Sequence, residues 1–489
     1  MVVTKGGAVN GLTIPRDDRL PGLATLLDTE KILALVRSNL PHGEDGTMDC
    51  RRVWVRYNPG RNCIATYVIT APNRQPASWY GECLPKAEFL KACQELQREP
   101  RLETSEKSGQ VPAVIQMPEA GMLLFAYPND RRLRSLRTVA CDDGAGRFLN
   151  QHLYGPGHEA HWKTTVVRYK PESRAVLRCE QEPSARAQGE PKASPGASVG
   201  VGPHELIEDS VGPGLSRSEG RTVYLRVYPD ARQTGVFPTL RELEQWLGPS
   251  APFLVPPLLA LDSERHLVAH GSLSGDRLGS TLGTGRARDA FVRTAEALAF
   301  LHAYENPRAP RRTTADHLNE ADRALDRVSQ FAPETVDQAK EIHSRLHAQT
   351  PEESSSVCGF THGDFHDAQV LVDEGNGAGG SAGHGTIRFL DFDQAHLGPV
   401  LADVGKLLAH LHYIRMRDQR PDARDAADAF LEAYARAAPK RRLGIIPWWI
   451  AVSLLQIAIK PIRRLDPHAS VKAKTLLDDA IRVLDTVDC

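Results

Sequence analysis

The sequence predicts an α+β fold in two lobes, a small β-rich lobe followed by a large, mainly helical one. A degenerate duplicate of the small lobe is expected at the amino terminus. Three observations carry this expectation. Short apolar strands around Pro-containing turns fill the first half, and apolar residues at helical spacing take over after residue 285. Two stretches of the first half also echo two later stretches in the same order. The expected division is an amino-terminal cap over 1–145, a small lobe over 146–285 with a flexible insert at about 183–217, and a helical lobe over 286–489.

The elements follow in chain order. VWVRYNPGRNCIATYVI (53–69) reads as two strands around an Asn-Pro-Gly turn, and VVRYKPESRAVLRCEQ (166–181) as the same device. At an offset of 112, VRYNPGR and VRYKPES agree in Val, Arg, Tyr and Pro. LLFAYPNDRRLRSL (123–136) resembles LVAHGSLSGDRLGSTL (267–282), each an apolar strand, a turn and an Asp-Arg pair. One copy is expected over about 45–140 and the other over about 160–285. RTVYLRVYP (221–229) adds a strand and FPTLRELEQWLG (237–248) a helix. PFLVPPLLALD and RHLVAHGSL supply two more strands. Amphipathic helices are then expected over 288–305, 317–331, 334–349, 402–417, 422–438, 445–465 and 471–487. The Gly-rich run at 375–385 has neither a Lys-Ser/Thr ending nor dinucleotide-binding spacing, so it reads as a hairpin tip.

Composition excludes several classes. The 489 residues carry a formal net charge of −1 without a long basic block, which argues against a nucleic-acid partner. No uninterrupted run of 18 apolar residues occurs, so no membrane partner is expected. The eight cysteines form no CxxC pair, the start lacks signal-peptide order, and a cytoplasmic location follows as the expectation. The oligomeric state is not readable.

Two acidic turns stand at the ends of short apolar strands. CGFTHGDFHDAQVLV (358–372) holds Asp364 and, five residues on, Gln369. IRFLDFDQAHLGPVLADVGKLL (387–408) holds Asp391 and Asp393. Pairing of QVLV with IRFL would bring the two turns together. A carboxylate that orients and deprotonates a hydroxyl, beside an acid and an amide oxygen that hold a hard cation, is the equipment of phosphoryl transfer.

This pair of motifs resembles the aminoglycoside phosphotransferase and choline-kinase family, which shares the protein-kinase-like fold. The family pattern is His-Gly-Asp, an Asn five residues after the Asp, and a later Ile-Asp-Phe-acid turn. This chain has His362-Gly363-Asp364, Gln369 and Leu390-Asp391-Phe392-Asp393. Its extra amino-terminal region is similar to that of actinobacterial members of the superfamily. The resemblance implies ATP and Mg2+ as cofactors, Asp364 as catalytic base, and Gln369, Asp391 and Asp393 at the metal. His362 would brace the loop, and Asp403 would steady it from the next helix. Arg226 stands where the family carries the lysine that holds the α- and β-phosphates. Glu242 or Glu244 would orient it, only one of them facing it because they are two apart. Arg168 and Lys170 on the preceding hairpin are further phosphate candidates, and Val268 to Gly271 would receive adenine. Glu82 occupies the place of Arg226 in the first copy, where a carboxylate would repel a triphosphate.

The implied activity is ATP-dependent transfer of the γ-phosphate to a hydroxyl of a small molecule: a sugar, an aminocyclitol or aminoglycoside, or an amino alcohol. The alternative is a pseudokinase with a binding or regulatory role, suggested by Arg226 for Lys and Gln369 for Asn. Asp418, Asp422, Asp425, Asp428 and Glu432 are either acceptor-attracting acids or a solvated helix face. Trp448 and Trp449 are either a sugar platform or core.

Overall fold

The structure, a computed structural model, describes residues 5–9, 12–40, 48–71, 75–98, 112–141, 143–157, 159–182, 221–306, 308–352, 357–373, 386–439 and 443–487. The inserts expected at 183–217 and 375–385 lie outside these residues.

The architecture is α+β, with two β-rich units ahead of a helical lobe. After a hairpin of β1 (Lys5–Val9) and β2 (Leu12–Pro15), the first unit has helices α1 (Leu23–Leu27) and α2 (Thr29–Ser38). Strands β3 (Asp49–Asn58), β4 (Asn62–Thr70) and β5 (Ala77–Cys83), helix α3 (Lys86–Arg98), and strands β6 (Val114–Met117) and β7 (Met122–Ala126) complete it. The second unit runs α4 (Leu136–Ala140), α5 (Gly144–Leu153), β8 (Trp162–Lys170), β9 (Arg174–Gln181), β10 (Thr222–Val227), α6 (Ala231–Thr234), α7 (Phe237–Trp246), β11 (Phe253–Leu254), β12 (Leu258–Asp262) and β13 (Leu267–Gly271). The two five-stranded sheets have orders β3-β4-β5-β7-β6 and β8-β9-β10-β13-β12. They therefore share strand order, antiparallel pairing and the placing of a helix after the third strand.

The correspondence reaches further back than the hairpins. In the first unit Tyr57 Oη and the Gly60 amide donate to one oxygen of Asp17, at 2.9 and 2.7 Å. In the second, Tyr169 Oη and the Glu172 amide donate to one oxygen of Asp130, at 2.8 and 2.9 Å. Both acids sit in a Pro-x-Asp-x-Arg-Leu-x-x-Leu run, 15–23 and 128–136. In each unit the following helices fill the underside of the sheet. Leu23, Leu26, Ile32 and Val36 pack with Tyr57 and Tyr67, and Leu136, Val139, Phe148 and Leu149 with Leu177 and Leu225. The structural repeat thus begins at the Asp-containing loop. The two helices ahead of each hairpin, absent from the pattern reading, are part of it.

The helical lobe holds α8 (Ala287–Leu301), α9 (Thr314–Phe331), α10 (Val336–Ala348), α11 (Leu401–Asp418), α12 (Asp422–Ala437), α13 (Ile446–Arg463) and α14 (Ala469–Leu484). α13 is long and apolar enough to cross a membrane, yet it packs against α9, α11 and α14, and most of its apolar residues are buried. Trp448 and Trp449 are fully buried, and Trp448 donates to the Leu346 carbonyl. They are core rather than a sugar platform. At the end of α11, the turn after it and along α12, Asp418 pairs with Arg417, Asp422 with Arg420 and Glu432 with Arg288, while Asp425 and Asp428 are exposed. This is a solvated face.

Between the lobes lie β14 (Asp276–Arg277), β15 (Cys358–Thr361), β16 (Val370–Val372), β17 (Ile387–Phe389) and β18 (His396–Pro399). The order β11-β17-β16-β14 ties the second unit to the loops that carry the acidic turns, and Phe253 stacks on Phe389 at 4.6 Å.

Candidate active site

β16 and β17 pair antiparallel, Val370 opposite Phe389, so the two acidic turns meet at one end of this short ribbon. β15 and β18 pair beside it, Thr361 opposite His396. The crossing is tight enough to require glycine. Gly363 has φ +80°, and a Cβ there would lie 2.1 Å from the Gln394 carbonyl oxygen. Asp391 is also left-handed, at φ 63°, a conformation that Asp and Asn adopt more readily than other side-chain-bearing residues.

Buried side chains hold the loop. Asp403, at the start of α11, accepts from the amides of His362 at 2.6 Å and Gly363 at 2.9 Å, and faces His302 Nε2 at 3.3 Å. Burial opposes its ionisation, but His302 and the loop amides hold the carboxyl below the usual range. His362 Nε2 donates to the Leu390 carbonyl at 2.6 Å, linking one acidic turn to the other, while its Nδ1 accepts from the Asp364 amide at 3.4 Å. His362 and Asp403 therefore brace the loop.

Asp364 rests against Lys406 of α11, Nζ to Oδ1 2.8 Å, and keeps 29% of its side chain exposed. Burial pushes its pKa up, and Lys406, His366 and Lys460 more than reverse this, so the group is a carboxylate well below its ordinary range. His366 lies 3.9 Å from Asp364 Oδ2 and stacks face to face on His410 at 4.3 Å. Its Nδ1 accepts from the Ala368 amide at 3.2 Å, capping the 3-10 turn Asp367–Gln369. That turn aims the Gln369 amide at His366 Nε2, at 3.4 Å. It is the amide nitrogen that makes this contact.

The second acidic turn meets the sheet of the second unit. Alternation along β9 and β10 places Arg174, Arg226 and Tyr228 on one face. Arg174 Nη1 donates to Asp391 Oδ1 at 2.7 Å and Asp393 Oδ2 at 2.5 Å, and its Nη2 to Asp391 Oδ2 at 3.1 Å. Arg226 Nη1 donates to Asp391 Oδ1 at 2.9 Å and Asp393 Oδ1 at 3.0 Å, and Tyr228 Oη to Asp393 Oδ1 at 2.8 Å. Burial works against ionisation of Asp391, and the two guanidiniums overcome it and hold its carboxyl well below the ordinary value. Asp393 is pushed up by burial and by the charge of Asp391. All four oxygens of the acid pair have donors. As arranged, the guanidinium-bound Asp391 and Asp393 do not fit a magnesium ion, which needs oxygen lone pairs in near-octahedral array at about 2.0–2.1 Å.

The other expected residues divide. Arg226 is at the site, but neither glutamate orients it. Glu242 accepts from Asn306 Nδ2 and Arg308 Nη1, each at 2.6 Å, and Glu244 accepts from the Leu258 amide at 3.3 Å. α7 is thereby fastened to the loop after α8, and the acids of the turn replace a helix glutamate as partners of Arg226. Arg168 and Lys170 are half-buried on β8, the outermost strand of the sheet. Val268 is buried opposite Arg226 on β13, and the Gly271 amide donates to the Pro257 carbonyl at 2.9 Å where the chain leaves the sheet. Arg174 and Lys406 were missed by sequence reasoning. Arg174 had a signal: it opens the strand after the Lys-Pro-Glu-Ser turn, two residues before the partner of Arg226.

Comparison with known proteins gives one match of family rank. Residues 215–441 match the family model described as the phosphotransferase enzyme family. Among curated proteins none matches the sequence. Solved structures give distant likenesses. A Ralstonia eutropha protein described as an aminoglycoside phosphotransferase is 13% identical, with 71% of this chain and 99% of that chain covered and a TM-score of 0.46. A macrolide 2′-phosphotransferase of Brachybacterium faecium is 15% identical, with 69% and 97% covered and a TM-score of 0.38. A choline kinase of Cryptosporidium parvum is 10% identical, with 70% and 97% covered and a TM-score of 0.44.

Proposed function

From the match of residues 215–441 to the phosphotransferase enzyme family, we propose that this chain transfers the γ-phosphate of ATP to a hydroxyl of a small molecule, a sugar, aminocyclitol or aminoglycoside, or amino alcohol. The observation that carries the reading is Asp364: an ionised, part-exposed carboxylate on a glycine-tightened loop, braced by Asp403 and His362. Lys406 keeps it deprotonated, which suits it to accept a hydrogen bond from an incoming hydroxyl and orient the oxygen for in-line attack. Arg226 and Arg174 cancel the charge of the acid pair, so phosphate oxygens meet guanidinium groups rather than bare carboxylates, and Val268 to Gly271 is the strand end that receives adenine. The acid pair that would hold a divalent cation is already neutralised by guanidinium groups.

Purified protein incubated with ATP and a panel of sugars, aminoglycosides and amino alcohols should give an acceptor heavier by one phosphate. Asp364→Asn should lower the rate by about 10²–10⁴-fold with ATP affinity kept. Equal turnover in the variant would remove Asp364 from the chemistry. A panel without product but with nucleotide bound would favour the binding-protein alternative, for which Arg226 in place of Lys and Gln369 in place of Asn speak.

A further inference from the structure

The acid pair of the second turn is closed by arginine, and this has a chemical meaning beyond the shape of the site. Two carboxylates, Asp391 and Asp393, face two guanidiniums, Arg174 and Arg226, at 2.5–3.0 Å for the shortest contact of each pair. The charges cancel, and the side chains are only 14–15% exposed. A cation approaching this group meets no net negative charge and no uncommitted carboxylate oxygen. It would also have to strip a buried carboxylate of its partner, which is strongly unfavourable.

One N–H of the paired arginines is left uncommitted. Arg226 Nε is buried and has no acceptor. A buried guanidinium N–H left without a partner is costly unless a ligand supplies one. The structural repeat provides an internal control. The positions of Arg174 and Arg226 in the first unit are Asn62 and Glu82, by strand register. There Asn62 donates to Glu82 at 2.9 Å, and no phosphate-binding charge arises. The paired arginines are therefore not a requirement of the scaffold.

We propose that Arg174 is the resident counter-ion of the Asp391–Asp393 pair, standing in for a divalent cation, and that Arg174 and Arg226 receive nucleotide phosphate without such a metal. Only the nucleotide half rests on the phosphotransferase reading. Arg174 is a binding residue on this account: its head group holds the acid turn and keeps the cluster from presenting net negative charge to the phosphates.

Two measurements on the full-length chain test it. In the first, Mn2+ is titrated without nucleotide and followed by electron paramagnetic resonance. The wild type should show no bound Mn2+ that is lost in Asp391→Asn. Arg174→Met should gain such a site, and the double variant with Asp391→Asn should lose it again. Arg174→Lys, which keeps the charge, should stay without it. Wild-type Mn2+ binding that disappears in Asp391→Asn would overturn the proposal, whether or not Arg174→Met folds. In the second, ATP affinity is compared in EDTA and in excess magnesium. Wild-type values should agree within about threefold, whereas binding that improves by more than about tenfold with magnesium would overturn the metal-free recognition. Absence of ATP binding in both buffers would sink the nucleotide half and the phosphotransferase reading together, while the Mn2+ result still decides the role of Arg174.

Discussion

Gly363 shows how much a single position constrains the site. Its φ of +80° costs any other residue about 1–2 kcal/mol, and a Cβ would stand 2.1 Å from the Gln394 carbonyl oxygen, on the loop that carries Asp391 and Asp393. Gly363→Ala should therefore lower stability by more than the backbone cost alone and displace both acidic turns. Urea denaturation reads the first effect and turnover the second; a variant with wild-type midpoint and rate would show that the loops do not interlock. The site residues legible in the sequence are those whose geometry is local. Asp364 follows Gly363 directly, and His362 and Asp403 act on backbone groups that the short strands bring together. Gln369 was not legible in the same way. Its spacing from Asp364 was informative, but the contact of its amide nitrogen with His366 Nε2 has no counterpart in the spacing.

At the scale of elements, the turn between β8 and β9 is gripped by the first unit. Arg131 bridges Glu82 of β5 at 3.0 Å and Glu172 of the turn at 2.9 Å, and Asp130 accepts from the Glu172 amide. Glu82 was expected to mark a lobe that repels triphosphate. It is instead fully buried and paired, so its observable part is to join the two units. Such a pairing is invisible to pattern reading, since its partners are 49 and 41 residues from Arg131. Strands and their turns were readable because alternation and Pro or Gly report on two to four neighbouring residues. The short helices α1, α2, α4 and α5 were not, because their apolar faces are set by the sheets above them. The triad also makes a pH signature. Burial, then the neighbouring charge of Glu82, pushes Glu172 from 4.5 up to about 8, Arg131 opposing. A carboxyl raised on folding binds more protons folded than unfolded between these values, so stability falls as pH rises from about 4.5 to about 8. Glu172→Gln, which cannot ionise, should lose this slope. Its melting temperature relative to wild type should climb between pH 5 and pH 8. A difference constant across that range would remove Glu172 as its source.

At the scale of the molecule, the first unit does not simply sit on the second. Phe331 from the end of α9 and Leu465 from the end of α13 pack into the core under its sheet, and Tyr57 meets Phe331 edge to face at 5.4 Å. The same seam gathers arginines. Arg463 is pushed down by burial and then by Arg56 and Arg327, and Arg327 by burial and then by Arg61 and Arg323. Apolar contact thus holds the unit to the helical lobe against like-charge repulsion. A chain of 489 residues would ordinarily unfold in several steps. With a core shared across the seam, the first unit and the helical lobe should instead melt together in calorimetry. Leu465→Ala removes about 2–5 kcal/mol from that shared core. It should split off a lower transition belonging to the first unit, with the remainder unchanged. Added salt should then draw the two transitions back together, because screening at about 10 Å in 0.1 M salt relieves the arginine repulsion while leaving apolar packing in place. If the wild type already melts in two steps and Leu465→Ala moves neither, the shared core does not couple the unit to the lobe, and the arginine seam is only a surface between independent parts.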